Sequence, residues 1–281
     1  MFRRLVVSFL SASVLLGGCP APSRSWEEKG HVLINGHAID SLPEPLRGFF
    51  STHRSTMEKR SQDPDYWKLD DEEERRYHYI DIDALRPYPF TDFPLDYEAA
   101  TRAFGRLRLR EEGELPWRIE EYFDILVQDF ENGQWEDAAY TAAILGHYVA
   151  DLHQPLHTTK NYDGDLTGNK GVHSRFEGNL LDRLGDLTLS VSSAVYVEDP
   201  VASTLEVVRS GYPLIRTILQ ADSEAGRAAS GDEERYLGIL EQKLRPLVEK
   251  RLSEASSFLG SLIYSAWSLA EKPNPPSSPS E

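Results

Sequence analysis

The sequence predicts an all-α protein built as a single multi-helix domain, and two observations carry that prediction. Apolar residues recur at the three- and four-residue spacing of a helix face through most of the chain. Period-two alternation bounded by turn residues, the mark of half-buried strands, is nearly absent. No internal repeat is visible.

Taken in order, the chain opens Met1-Phe2-Arg3-Arg4 and continues as the apolar run 5–16, a charged segment followed by a hydrophobic one too short to span a bilayer, which predicts export. Leu16-Gly17-Gly18-Cys19 follows, the small-residue pattern at which bacterial lipoproteins are cut and acylated on the new terminal cysteine. Cys19 is the one cysteine of the chain, so no internal disulfide is open to it, and lipidation gives it a role. Ser23-Arg24-Ser25 offers a second cut, directly before Trp26. The expected organisation is a signal peptide over 1–18, a tether or pro-segment over 19–25, a folded domain over 26–271 and a disordered tail over 272–281. The expected location is outside the cytoplasm, tethered to a membrane through Cys19 or free in the periplasm or medium.

The first helix is predicted over 31–41, with Val32, Ile34, Ala38 and Ile39 available for burial and Pro43 and Pro45 as stops. A second runs over 96–110, and Pro116 opens a third that reaches Phe130. Residues 137–152 form a long alanine-rich helix that Pro155 ends, and residues 172–184 form another after a glycine-rich loop. Two long helices, 201–228 and 233–270, close the domain, with Pro213 and Pro246 as expected kinks or breaks. Between them and the preceding helix, residues 187–197 are rich in serine and β-branched side chains and read as a strand or an extended loop.

About 255 residues follow the leader, enough for one domain with a well-buried core. Thirty basic against 46 acidic residues give a net charge of −16, a surface that repels a polyanion unless a local positive site overrides it.

The chemistry is concentrated in the histidines. Five of the eight fall in short motifs that also hold a carboxylate. His147 and Asp151 are four residues apart on the long helix, so both project from one face and can reach one metal ion. His157 lies just past that helix, and His173 with Glu177 repeats the four-residue pair on the next one. Upstream, His78 opens His78-Tyr79-Ile80-Asp81-Ile82-Asp83, Asp65 lies in Asp63-Pro64-Asp65-Tyr66-Trp67-Lys68, and Trp26 precedes His31 by five residues. A single helical histidine beside an acid is ordinarily a hydrogen-bonded pair, but the accumulation of imidazole and carboxylate is the donor set that zinc takes. His37, His53 and His153 find no motif partner and are read as ordinary.

These motifs resemble those of the bacterial zinc-dependent phospholipases C and their relatives, the single-strand-specific zinc nucleases. The similarity is densest over 121–182, in Leu145-Gly146-His147-Tyr148-Val149-Ala150-Asp151, in Gln154-Pro155-Leu156-His157 and in Gly171-Val172-His173-Ser174-Arg175-Phe176-Glu177. The resemblance implies a mostly helical fold with a trinuclear zinc site: Asp65, His78, His147 and Asp151 on one ion, His157, His173 and Glu177 on a second, and Asp151 bridging to a third. That third ion is completed in the family by His31 and by the amine and carbonyl of an N-terminal tryptophan, here Trp26. Three ions are therefore expected if the chain is cut after Ser25, and two if Trp26 is internal.

The activity implied is zinc-dependent hydrolysis of phosphodiester bonds, phospholipase C-like on a phospholipid, with Asp65 orienting or deprotonating the attacking water and Lys68 able to pair with a phosphate oxygen. Glu177 in place of aspartate, Tyr66 directly after Asp65 and the absence of disulfides favour that branch. The spacing from Trp26 to His31 favours instead the nuclease branch, where Tyr79 would stack on a base of single-stranded nucleic acid and Asp81 would hydrogen-bond it. A third reading is a non-catalytic zinc-stabilised lipoprotein that binds a phosphate ligand or a partner. Lys29 and Arg75 stand where the phospholipases carry an acid and an aromatic for choline, so a headgroup other than choline is expected.

Overall fold

The computed structural model describes residues 26–276, which are mostly helical with no strands. The leader, Cys19 and both processing sites lie outside the described residues. No helix among the described residues is long and apolar enough to cross a membrane.

Six helices set the architecture: α1 (His31–Ser41), α2 (Asp63–Asp70), α3 (Leu115–Glu131), α4 (Trp135–His153), α5 (Pro200–Ala229) and α6 (Glu233–Leu269). α4 is the centre. Ala138, Ala139, Ala142, Ala143 and Ala150 are all buried along it, and small side chains let α1, α3 and α6 approach from different sides. The closest approach is at Gly146, where a Cβ would overlap the side-chain amide of Asn35 on α1. α1 is wedged in the same way against α6, where a Cβ at Gly260 would overlap Ser41 Oγ. α5 packs across α6 and α3 and closes the bundle.

Helix starts follow local chemistry. Asp199 Oδ1 accepts from Ala202 N at 2.9 Å with Pro200 in the first turn, and Asp232 Oδ1 accepts from Arg235 N at 3.0 Å. Three expectations change. The helix over 96–110 is two, Tyr97–Phe104 and Arg106–Glu111, because Gly105 takes a φ of +86° that ends the first. The segment 172–184 begins and ends as α-helix but widens to a π-helix over Arg175–Leu180. α5 and α6 run unbroken through Pro213 and Pro246. At the other end, Trp267 Nε1 donates to Pro273 O at 2.8 Å, so the proline-rich segment starts docked on α6, and 277–281 lie outside the described residues.

Residues 187–197 are extended without a partner strand. Their amides are satisfied by a helix instead: Thr188, Ser190, Ser192, Val195 and Val197 donate in turn to Glu249 Oε1, Ser253 Oγ, Ser257 Oγ, Ser261 Oγ and Ser265 Oγ of α6, at 2.7 to 3.2 Å. The match is geometric. Four helical residues rise roughly 6 Å and two extended residues span roughly 6.6 Å, so an acceptor every fourth position of α6 meets every second amide, except between Ser192 and Val195, where the step is three residues and Ala194 N turns to Ser41 O at 2.9 Å.

Candidate metal centre

α4 carries the centre of the site. His147 and Asp151 leave one face of it and are buried. His147 donates Nδ1–H to Ser61 O at 2.7 Å, which leaves the Nε2 lone pair facing inward. That nitrogen lies 3.0 Å from His78 Nδ1 and 3.2 Å from Asp151 Oδ2, and His78 Nδ1 lies 2.9 Å from the same oxygen. Asp65, in the first turn of α2, brings Oδ1 to 3.8 Å from His147 Nε2 and 3.9 Å from His78 Nδ1.

Asp151 turns its other oxygen the opposite way. Oδ1 lies 3.3 Å from His157 Nδ1 and 3.7 Å from His31 Nε2. His157 is in the 3-10 turn Pro155–Thr158, fixed by Ile80 N donating to His157 O at 2.9 Å. Its Nε2 is 3.5 Å from Glu177 Oε1, whose Oε2 is 2.5 Å from His173 Nε2. His31 stacks on His147 with ring centroids 4.1 Å apart, and His157 on His173 at 5.1 Å. The loop before His173 is anchored on α5: Asn169 Nδ2 donates to Asp222 Oδ2 at 2.7 Å and Arg175 Nε to Asp222 Oδ1 at 2.9 Å.

Among the described residues three groups can each hold a metal ion: His31, Asp65 and His147; His78, His147 and Asp151; His157, His173 and Glu177. Zinc bonds of roughly 2.0–2.2 Å in a tetrahedron separate the ligand atoms by roughly 3.3–3.6 Å, the scale of most spacings here. The electrostatics ask for a cation as well. Ring nitrogens of His78 and His147 and the Asp151 carboxylate crowd within 3.2 Å of one another, and the buried His157 Nδ1, which faces Asp151 Oδ1, has no hydrogen-bond partner. The residues present fit zinc.

The ionisation of the cluster follows from burial and mutual charge. Burial, helped by His147, depresses His31 to about 3, and burial depresses His78 to about 4 against the pull of Asp151. Burial opposes charge on His157, yet Asp151 and Glu177 push it up to about 10; His147 is likewise raised against burial by Asp151 and Asp65. The carboxyls of Asp65, Asp151 and Glu177 are held low against burial by their histidine neighbours.

A cavity of about 480 Å³ opens over these donors. Tyr79 and Asp81 line it, with the Tyr79 hydroxyl donating to Glu111 O at 3.0 Å. Burial, then Asp83 and Glu112, push Asp81 up to about 7. Lys68 lines it too, held by Asp65 Oδ1 at 2.5 Å, so the lysine is committed to a donor carboxylate. Tyr66 points out beside it, largely exposed. Lys29 does not reach the cavity; its Nζ donates to Leu181 O and Leu184 O, at 2.9 and 2.5 Å. Trp26 opens a π-helical turn that leads directly into α1 at His31, and its side chain lies outside the described residues. His53 pairs with Glu136 and His37 with Asp40 at the surface, and His153 is buried on Val149 O.

Sequence reasoning missed Leu69 and Tyr162, which line the cavity, Tyr162 edge-on to His173 at 5.8 Å. The signal for Tyr162 was its place in the glycine-rich loop leading to His173. Arg75 lines the cavity as an exposed guanidinium with no ion-pair partner among the described residues, while Arg76, Arg110 and Arg118 around it are taken up by Glu73, Glu74, Glu114 and Glu121.

The S1/P1 nuclease family matches residues 26–182, the span that holds every donor above. The alpha-toxin of Clostridium perfringens has a similar fold, with a TM-score of 0.54 at 13% identity over 89% of this chain and 66% of that one. A probable serine protease of Bradyrhizobium tropiciagri is 28% identical over 121 residues, 43% of this chain and 14% of its own length. That stretch is too small a share of either protein to bring over an activity.

Proposed function

The chain belongs to the S1/P1 nuclease family, and from that premise we propose that it is an exported zinc-dependent phosphodiesterase acting on phospholipids in the manner of a phospholipase C. The observation that carries the reading is the position of Asp151, whose two oxygens face different histidines and so join the donor groups into one centre. Zinc bound there supplies Lewis acidity, lowering the pKa of water to roughly 7 and offsetting charge on phosphorus.

The chain's own residues do the rest. Asp65, held as a carboxylate beside Lys68, accepts a hydrogen bond from the attacking water and orients it; its low proton affinity suits orientation better than deprotonation. Asp81, pushed up to about 7, can hold a proton at neutral pH and donate a hydrogen bond to the substrate. Arg75 is free to meet an anionic or polar headgroup, and it disfavours choline.

The lipid reading is favoured by aliphatic side chains around the cavity. Leu69 is 73% exposed and lines it, and Leu166, 72% exposed, belongs to the same loop as Tyr162. Leucine cannot stack on a base but can enter an acyl layer. The nuclease reading rests on the family match and on Tyr79 and Asp81 in the cavity.

Zinc-loaded protein should hydrolyse bis(p-nitrophenyl) phosphate, and chelation should abolish it. Vesicles of phosphatidylglycerol and of phosphatidylcholine, set against single-stranded DNA, then choose the substrate: faster release from phosphatidylglycerol supports the lipid reading, and faster cleavage of DNA replaces it with the nuclease reading. Zinc binding with no turnover of any of these leaves a binding protein.

A further inference from the structure

Behind His78, on the side away from the donor cluster, lies a second carboxylate that the reaction does not touch. Glu74 is buried one turn before His78 in the 3-10 helix Glu72–His78. Its Oε1 is 3.8 Å from His78 Nε2, the ring nitrogen that is buried and has no hydrogen-bond partner. The other ring nitrogen, Nδ1, is the one that faces Asp151 and His147. Glu74 is itself fixed. Its Oε1 accepts from the Tyr148 hydroxyl and its Oε2 from Arg118 Nη2 at 2.9 Å, while Arg118 is held by Glu121 at 2.8 Å and lies over the rings of Tyr77 and Tyr122.

We propose that Glu74 is a positioning residue of the metal centre: its carboxylate takes the proton on His78 Nε2 as a hydrogen bond and so commits the Nδ1 lone pair to the donor cluster. This rests on the zinc reading above. The chemistry is that of a neutral imidazole, which carries one proton on one nitrogen and one lone pair on the other. A carboxylate oxygen has two lone pairs, so Oε1 can serve Tyr148 and His78 together. His147 solves the same problem with a backbone carbonyl, Ser61 O. His78 has no such carbonyl; the carboxylate facing its outer nitrogen is Glu74, whose Oε1 at 3.8 Å stands outside hydrogen-bond distance in this structure, so the bond requires the ring and the acid to close by roughly 0.5–1 Å. An acid behind a metal-binding histidine also raises the basicity of the ring, and loss of such partners ordinarily costs 10–100-fold in metal affinity.

The test compares wild type, Glu74→Gln and Tyr148→Phe in full-length zinc-loaded protein. Competition with a chromophoric chelator counts the ions and measures each affinity, and 15N spectra of the histidine rings report which nitrogen of His78 bears the proton. The expected result is that E74Q weakens one ion by about 10–100-fold and leaves the others unchanged. Y148F, which keeps the acid, should hold that ion within about threefold of wild type. A Glu74 that only braces Arg118 would lower the melting temperature without moving one ion selectively, and equal affinities in folded E74Q overturn the proposal. If E74Q does not fold, the spectrum of zinc-free wild type decides: a proton on Nε2 of His78 supports the proposal, and a proton on Nδ1, held by Asp151, overturns it. A wild type that takes up no zinc removes the functional reading first, a result distinct from either.

Discussion

Zinc uptake by the chelator-stripped protein should release protons at neutral pH, and most of the effect comes from one residue. Asp151 and Glu177 push His157 up to about 10 despite its burial, so at pH 7 its ring is a cation lying between them. Coordination requires the neutral ring, and three pH units of difference correspond to about 4 kcal/mol of binding energy spent on displacing that proton. The sign follows: affinity falls as pH falls, by about tenfold per unit from His157 alone while pH stays below its pKa of about 10. His147, also raised, adds to the slope near neutrality, whereas His31 and His78, depressed to about 3 and about 4, are already neutral and add nothing. Calorimetric titration of zinc at pH 7 in buffers of different protonation enthalpy counts the protons directly. At least one proton should leave as the centre fills. A count of zero, or an affinity flat between pH 6 and pH 8, would refute the placement of His157 between two carboxylates.

Three further outcomes are expected. Arg75→Glu should shift the ratio of kcat/KM for phosphatidylglycerol over phosphatidylcholine towards choline by about fivefold, the scale of one exposed ion pair, and an unchanged ratio would remove Arg75 from headgroup reading. Gly146→Ala places a methyl group against Asn35 and should destabilise by about 1–3 kcal/mol, read as a lower melting temperature; because it separates α1 from α4, it should also weaken metal binding by the group His31, Asp65 and His147. Ser265→Ala leaves the buried Val197 amide without an acceptor and should cost about 1–3 kcal/mol in urea unfolding, with zinc stoichiometry unchanged.

Two pairs at the candidate centre were legible in the sequence because helical spacing is short-range geometry, while Asp65, His78, His157 and His31 were reached only through the family resemblance. A gap of four residues places His147 above Asp151 and His173 above Glu177 whatever the rest of the chain does. The end of the first helix at Ser41 was legible as well, written in Pro43 and Pro45, whereas the π-helical turn Trp26–Gly30 that leads into it was not. Gly105 was visible as a residue but not as a break, since glycine inside a helical pattern is tolerated until its φ is known to be positive.

What was not legible depends on partners far apart in the chain. The serines of α6 at 253, 257, 261 and 265 have a four-residue period that any surface helix could show, and their purpose exists only because residues 187–197 lie alongside. Glu74 and Arg118 likewise read as two charges in a chain rich in them. Only the fold puts one behind His78 and the other behind it in turn. The same reasoning bears on how an acidic protein could accept the anionic substrate proposed for it. Its carboxylates near the centre are matched by histidines, arginines and the cations they would hold, so the net charge of −16 does not by itself describe the cavity over them.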